Sequence, residues 1–148
     1  MEIMFFASVD AYFAATMFQA VGAMMGKEKL TRAARAIFAA AFAAQTVFTL
    51  WRGVVAGRVP RANQLEFASG FAWSAAIMGL VLYAKLRQEW TLTVSMPVAF
   101  LVLSYAAFQP MEIKELMPAL RSTWVGLHIG SATVSYAAFA IAGGLGAY

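Results

Sequence analysis

His128 is the chain's single histidine, and the chain has no cysteine. It lies in LMPALRSTWVGLHIGSATVSYAAFAIAGG, residues 116–144, near the start of a long apolar run. On a helix, Trp124, His128, Ser131 and Ser135 follow the i, i+4, i+7, i+11 spacing that places them on one face. A flat aromatic, an imidazole and two hydroxyls would then share one strip. Gly126 and Gly130 form a G-x-x-x-G pair, a spacing that admits another backbone or a flat ligand. A neutral imidazole is a common ligand for metal ions and haem iron. Residue types alone favour the blander reading, a histidine hydrogen-bonded across helices with the glycines serving packing alone. The absence of cysteine removes disulfides, a thiolate nucleophile and the C-x-x-C-H site of covalent haem, so the chain is not itself a c-type cytochrome.

Two further groups hold polar chemistry. Gln45, Thr46 and Thr49 interrupt an apolar run, and Asp10 is the one acid deep inside another. A carboxylate at the centre of a membrane helix costs ~2.5–3.5 kcal/mol on insertion scales. Asp10 lies nearer one end, where an ion pair with Arg52 or Arg58 is expected in preference to a proton relay. The segment GRVPRANQLEF, residues 57–67, reads as a turn followed by a helix start. Asn63 is placed to cap that helix, and Glu66 falls near its positive end.

These groups need elements to position them, and composition limits the choice. The 148 residues are 62% hydrophobic and 12% charged, with mean hydropathy +0.71, too apolar for a water-exposed surface. Charges bunch at residues 26–35, 52–66, 85–89 and 112–121, separating five apolar runs long enough to cross a bilayer. Backbone groups in lipid must be satisfied within a helix or a closed barrel, and the runs lack strand-like alternation. The expected fold is all-α: a polytopic integral membrane protein, one transmembrane domain over residues 1–148. Its spans fall at about 4–25, 36–55, 65–84, 91–108 and 123–148. A basic loop, GKEKLTRAAR, joins the first two. Ile113, Leu116, Met117 and Leu120 recur at i, i+3, i+4, i+7, which predicts a short amphipathic helix on the outer membrane surface, bent near Pro118.

The start MEIMFF carries an acid and no Lys or Arg before the first apolar run, unlike a secretory signal peptide. The net charge of +4 does not indicate nucleic-acid binding, because the cations flank apolar runs and form no continuous face. No Lys or Arg precedes the first span and four lie between it and the second, which places the N-terminus outside a bacterial-type inner (plasma) membrane. The connectors at 57–67 and 109–122, and the start of the fifth span, then lie outside.

Together the motifs have a precedent. A basic first loop is followed by a second helix ending in arginine, then G-R-x-P-x-x-N-x-x-E, then a third helix opening LEFASGFAW. Later come P-A-L-R-S-T-W-V-G-L-H-I and S-Y-A-A-F. This resembles the membrane haem-handling family of cytochrome c assembly proteins, the CcsA/ResC type, over the first five helices of that family. The resemblance implies that His128 serves as an axial ligand to haem iron. It implies that Gly57, Arg58, Pro60, Asn63 and Glu66 flank the same external pocket as the start of the fifth span. It also implies that haem is held on the outer face and its vinyl groups presented to the thiols of an apocytochrome c.

The departures are specific. The family continues for about three more helices, with a tryptophan-rich loop ending W-D-P-x-E and a further external histidine, neither of which is present. Gln45-Thr46 stands where the family often has H-T, and Leu65 where it has tyrosine.

The expected function is therefore a haem-binding membrane component of cytochrome c biogenesis, sharing haem b with a partner chain that carries the tryptophan-rich loop. The cofactor-binding residues are His128, Trp124, Gly126 and Gly130. The chain would belong to a haem lyase without being catalytic alone. Its partners would be membrane lipids, other membrane subunits and the apocytochrome or another haem-handling protein. The rival is a structural transmembrane subunit of a respiratory or photosynthetic complex that has lost haem handling, or, beyond it, a small quinone- or lipid-binding anchor.

Overall fold

The computed structural model describes residues 2–115 and 117–147. Five α-helices follow in order: α1 Glu2–Met25, α2 Glu28–Ala56, α3 Gln64–Leu86, α4 Trp90–Ala107 and α5 Thr123–Ala147, with a single 3₁₀ turn at Pro118–Leu120. All five are long and apolar enough to cross a membrane. The chain is an all-helical membrane protein of the expected class.

Two boundaries differ from the sequence expectation. The basic segment read as a loop is mostly the first turns of α2, and only the turn at Gly26–Lys27 separates α1 from α2. Gly26 takes a left-handed φ of 63°, and Lys27 N donates to Gly22 O at 2.9 Å. A Cβ on Gly22 would lie 2.8 Å from Thr31 Cγ2, so the close return of the chain depends on that glycine. The second difference is the connector after α4. The periodicity of residues 113–120 produces no α-helix among the described residues, only the 3₁₀ turn; Leu116 lies outside them. The carbonyls of Met111, Glu112 and Lys114 are occupied by arginines from elsewhere, and Pro118 has no N–H for a helical bond.

Helices α1 and α2 pair closely, as do α3 and α4; α1 also meets α4, and α5 packs chiefly on α3. Between α1 and α2 the contact is aromatic: Phe5, Tyr12, Phe38 and Phe48 are buried, with Phe5 and Phe48 ring centres 5.0 Å apart. Between α3 and α4 it is made by small residues. Ala68, Ala72, Ala75 and Ala76 face Leu92, Met96, Ala99 and Leu103, and all are buried. Lipid gives no hydrophobic drive between helices, so close approach of small-residue faces supplies the contact.

Polar ties fix the register. Tyr12 Oη donates to Gln45 Oε1 at 2.7 Å, and Gln45 Nε2 donates to Ser69 O at 3.0 Å, joining α1, α2 and α3. Trp73 Nε1 donates to Thr46 Oγ1 at 2.9 Å. Near the other end Glu89 accepts from Arg35 NH1 at 2.9 Å and from Gln19 Nε2 at 3.3 Å. The alternation of helices leaves the α2–α3 and α4–α5 connectors at one end of the bundle.

Candidate functional site

The α2–α3 connector is built from local rules. Gly57 ends α2 at φ 61°, with Arg58 N bonded to Gly53 O at 3.1 Å and Gly57 N to Val54 O at 3.2 Å. This pair of bonds satisfies the last carbonyls of a helix, and only glycine adopts the conformation without cost. Asn63 caps α3, its side chain accepting from Glu66 N at 2.9 Å. Glu66 Oε2 in turn accepts from Ala62 N at 2.6 Å. A carboxylate in the first helical turn also meets the positive end of the helix dipole.

Glu66 is the hub of this end. Its side chain is fully buried. Arg52 Nε donates to Oε1 at 3.0 Å, and Arg58 NH1 donates to Oε2 at 2.9 Å. Arg52 then reaches the second connector, donating to Met111 O at 2.8 Å and Glu112 O at 2.9 Å. Arg58 NH2 donates to Lys114 O at 2.7 Å, and Asn63 Nδ2 to Glu112 O at 3.4 Å. One buried carboxylate thus orders two arginines, and the arginines hold the connector that leads into α5. The expected pairing with Asp10 is not found. Asp10 is exposed and forms no ion pair with Arg52 or Arg58, because Glu66 occupies both.

Beside this hub lies a cavity of about 370 Å³ between α2, α3 and α5. Pro60, Arg61 and Glu66 of the α2–α3 end line it together with Gly126, Gly130 and Thr133 of α5. The two sequence motifs therefore meet in one pocket. Arg61 lies across Gly126, so close that a Cβ there would overlap NH1. Arg61 stands inside the quoted motif, yet its role was not read from the sequence; its spacing three residues after Arg58 was the available signal.

His128 and Trp124 are elsewhere. They occupy the opposite side of α5, away from the cavity. Trp124 is 80% exposed, and the His128 imidazole is exposed with no hydrogen bond to any described residue. Ser131 and Ser135 are exposed with them, each hydroxyl donating to a carbonyl of its own helix. The four expected cofactor residues thus split into two pairs. Gly126 and Gly130 border the inner cavity, and Trp124 and His128 stand on the free face. No group of three or more His, Cys, Asp or Glu side chains comes together among the described residues.

Residues 62–147 fit the family described as cytochrome C assembly protein. The cytochrome c biogenesis protein CcsA of Prochlorococcus marinus (strain MIT 9301) is 30% identical over 100 residues, 65% of this chain and 32% of the relative. CcsA of Marchantia polymorpha is 32% identical over 95 residues, 62% of this chain and 30% of that protein. Protein NrfI of Wolinella succinogenes is 28% identical over 107 residues, 72% of this chain and 12% of NrfI. The chain thus spans about a third of the length of the CcsA relatives it matches. The matched segment holds the buried Glu66, the connector it orders and the whole of α5, and on that match the chain belongs to the cytochrome c assembly protein family.

Proposed function

We propose that the chain presents haem at the connector end of the bundle during cytochrome c assembly, with His128 as one axial ligand. The observation that carries this reading is the state of the imidazole. It is the chain's single histidine, it is exposed, and it has no partner among the described residues on a helix whose most apolar stretch is only 17% buried. The residues that would hold haem here are one imidazole, His128, with Trp124 one turn earlier beside it, and no thiolate. A second group to hold the iron would come from another chain or segment, the one that carries the tryptophan-rich loop, and the haem would be of the b type until it is attached. When bound, the haem would supply the vinyl groups that apocytochrome thiols attack.

This chain's residues then have distinct tasks. His128 would hold the haem iron. Trp124 would limit access of water to the iron. The Glu66–Arg52–Arg58 hub fixes the connector from which α5 departs. The same reading places the N-terminus and both connectors outside a bacterial-type inner membrane, because four Lys/Arg lie between the first two apolar runs and none before the first.

The test is a reduced-minus-oxidised spectrum of the chain purified with its native membrane partners. A b-type band is expected in the wild type and absent in His128→Ala. Equal haem in both rejects the ligand role and leaves the structural-subunit reading ahead.

A further inference from the structure

Arg61 has no use in the hub. Arg52 and Arg58 spend their charge on Glu66, whereas Arg61 makes no ion pair or hydrogen bond among the described residues, and its Nε is buried without an acceptor. Its guanidinium is also held against Gly126, in the first turns of α5, where the helix dipole is positive. A cation without a counter-charge set beside another positive end favours a bound anion. Glu66 lines the same cavity but does not fill that role, since its two oxygens are already engaged by Arg52, Arg58 and Ala62 N.

Away from Arg61 the cavity is apolar, walled by Val59, Phe67, Trp73, Ile129 and Val134. It continues into a second cavity of about 240 Å³ that shares Trp73, Ser74 and Val134 and extends to Ile77, Met78 and Val81. The combined trough follows α3 from Glu66 to Val81, about 20 Å of helix axis at the standard rise. Both cavities lie along helices long enough to span the bilayer. A single cation at one end and a long apolar trough below it match an ionic head and a hydrocarbon tail.

We propose that this trough binds one membrane phospholipid, its phosphate on the Arg61 guanidinium and one acyl chain along α3 toward Val81. The site is separate from the haem reading, because His128 and Trp124 face away from it.

Native mass spectrometry of the full chain released from detergent micelles tests this, with lipid phosphate measured in parallel. The wild type is expected to retain one phospholipid through a delipidating wash. Arg61→Gln is expected to lower its occupancy by about tenfold, the worth of one charge-assisted bond. Gly130→Leu should do the same by filling the trough. A Cβ at Gly130 meets nothing within 4 Å, so this variant is expected to fold, as far-ultraviolet circular dichroism will show. Lys85→Gln, exposed near the far end of α3, should retain the lipid. Added phospholipid should raise the melting temperature of the delipidated protein, and inorganic phosphate at the same concentration should not. Equal retention in wild type, Arg61→Gln and Gly130→Leu overturns the proposal. So does a retained molecule without phosphate, a wild type that retains none, or equal stabilisation by inorganic phosphate.

Discussion

Arg52 and Glu66 meet in the interior of the bundle, Nε to Oε1 at 3.0 Å, with side chains 4% and 0% exposed. They come from the end of α2 and the start of α3. Arg52 also donates to the carbonyls of Met111 and Glu112, so the pair sets where the α4–α5 connector lies. Replacing one member leaves a buried charge without its counter-charge, which costs about 3–5 kcal/mol. Glu66→Gln is expected to lower the thermal unfolding midpoint in detergent. Protease should also cut sooner around Lys114, whose carbonyl would lose the Arg58 tie. A midpoint and cleavage rate equal to wild type would show that the hub does not hold the connector.

The small-residue contact between α3 and α4 makes a second prediction. A Cβ on Gly79 would overlap Ser95 Oγ, whereas a Cβ on Gly143 would meet nothing within 4 Å. Gly79→Val should push the helices apart and cost about 1–3 kcal/mol, the usual penalty of overpacking. Gly143→Val should leave the unfolding midpoint near that of wild type. Equal midpoints in the two variants would contradict the observed α3–α4 packing.

How much of this was legible follows from how local each feature is. The five helices were readable because each apolar run has no other way to satisfy its backbone in lipid. The Asn63 cap was readable because cap and N–H lie three residues apart. The Arg52–Glu66 pair was not, since the sequence pointed to Asp10 as the acid and only the fold decides which one Arg52 reaches. The amphipathic pattern at 113–120 misled for a related reason: its hydrophobic spacing is helical, but distant arginines claim its carbonyls. For α5, spacing identified the strip of Trp124, His128, Ser131 and Ser135. It also set Gly126 and Gly130 two residues from His128, roughly 200° around the helix, so they belong to the other side. Which side is covered was not in the spacing, because burial depends on where α3 packs.

Orientation is open to direct labelling, because a chain with no cysteine gives clean single-cysteine variants. Ser122 lies just before α5 and Lys29 near the start of α2, and both are exposed. In intact cells, Ser122→Cys should react with a membrane-impermeant maleimide, and Lys29→Cys should react only after permeabilisation. The opposite pattern would put the connectors and His128 on the cytoplasmic side and remove the basis for presenting haem outside.

The last prediction concerns His128 and what can replace it. If the imidazole holds iron, its task is to provide one nitrogen at one place, and a free imidazole can provide the same nitrogen. His128→Gly opens a space of that size on an exposed helix face, where a small ligand has access. The complex bearing His128→Gly should lose its b-type band, and millimolar imidazole during purification should restore part of it. Phe139→Ala serves as the control. Three turns further along the same face and 74% exposed, Phe139 contributes apolar surface but no ligand atom, so haem should remain. Rescue separates ligation from folding, because imidazole does not repair a misfolded helix. Loss of haem in His128→Gly without rescue, together with equal loss in Phe139→Ala, would mean that the face serves a packing interface. Restored haem with imidazole would assign the iron to this position.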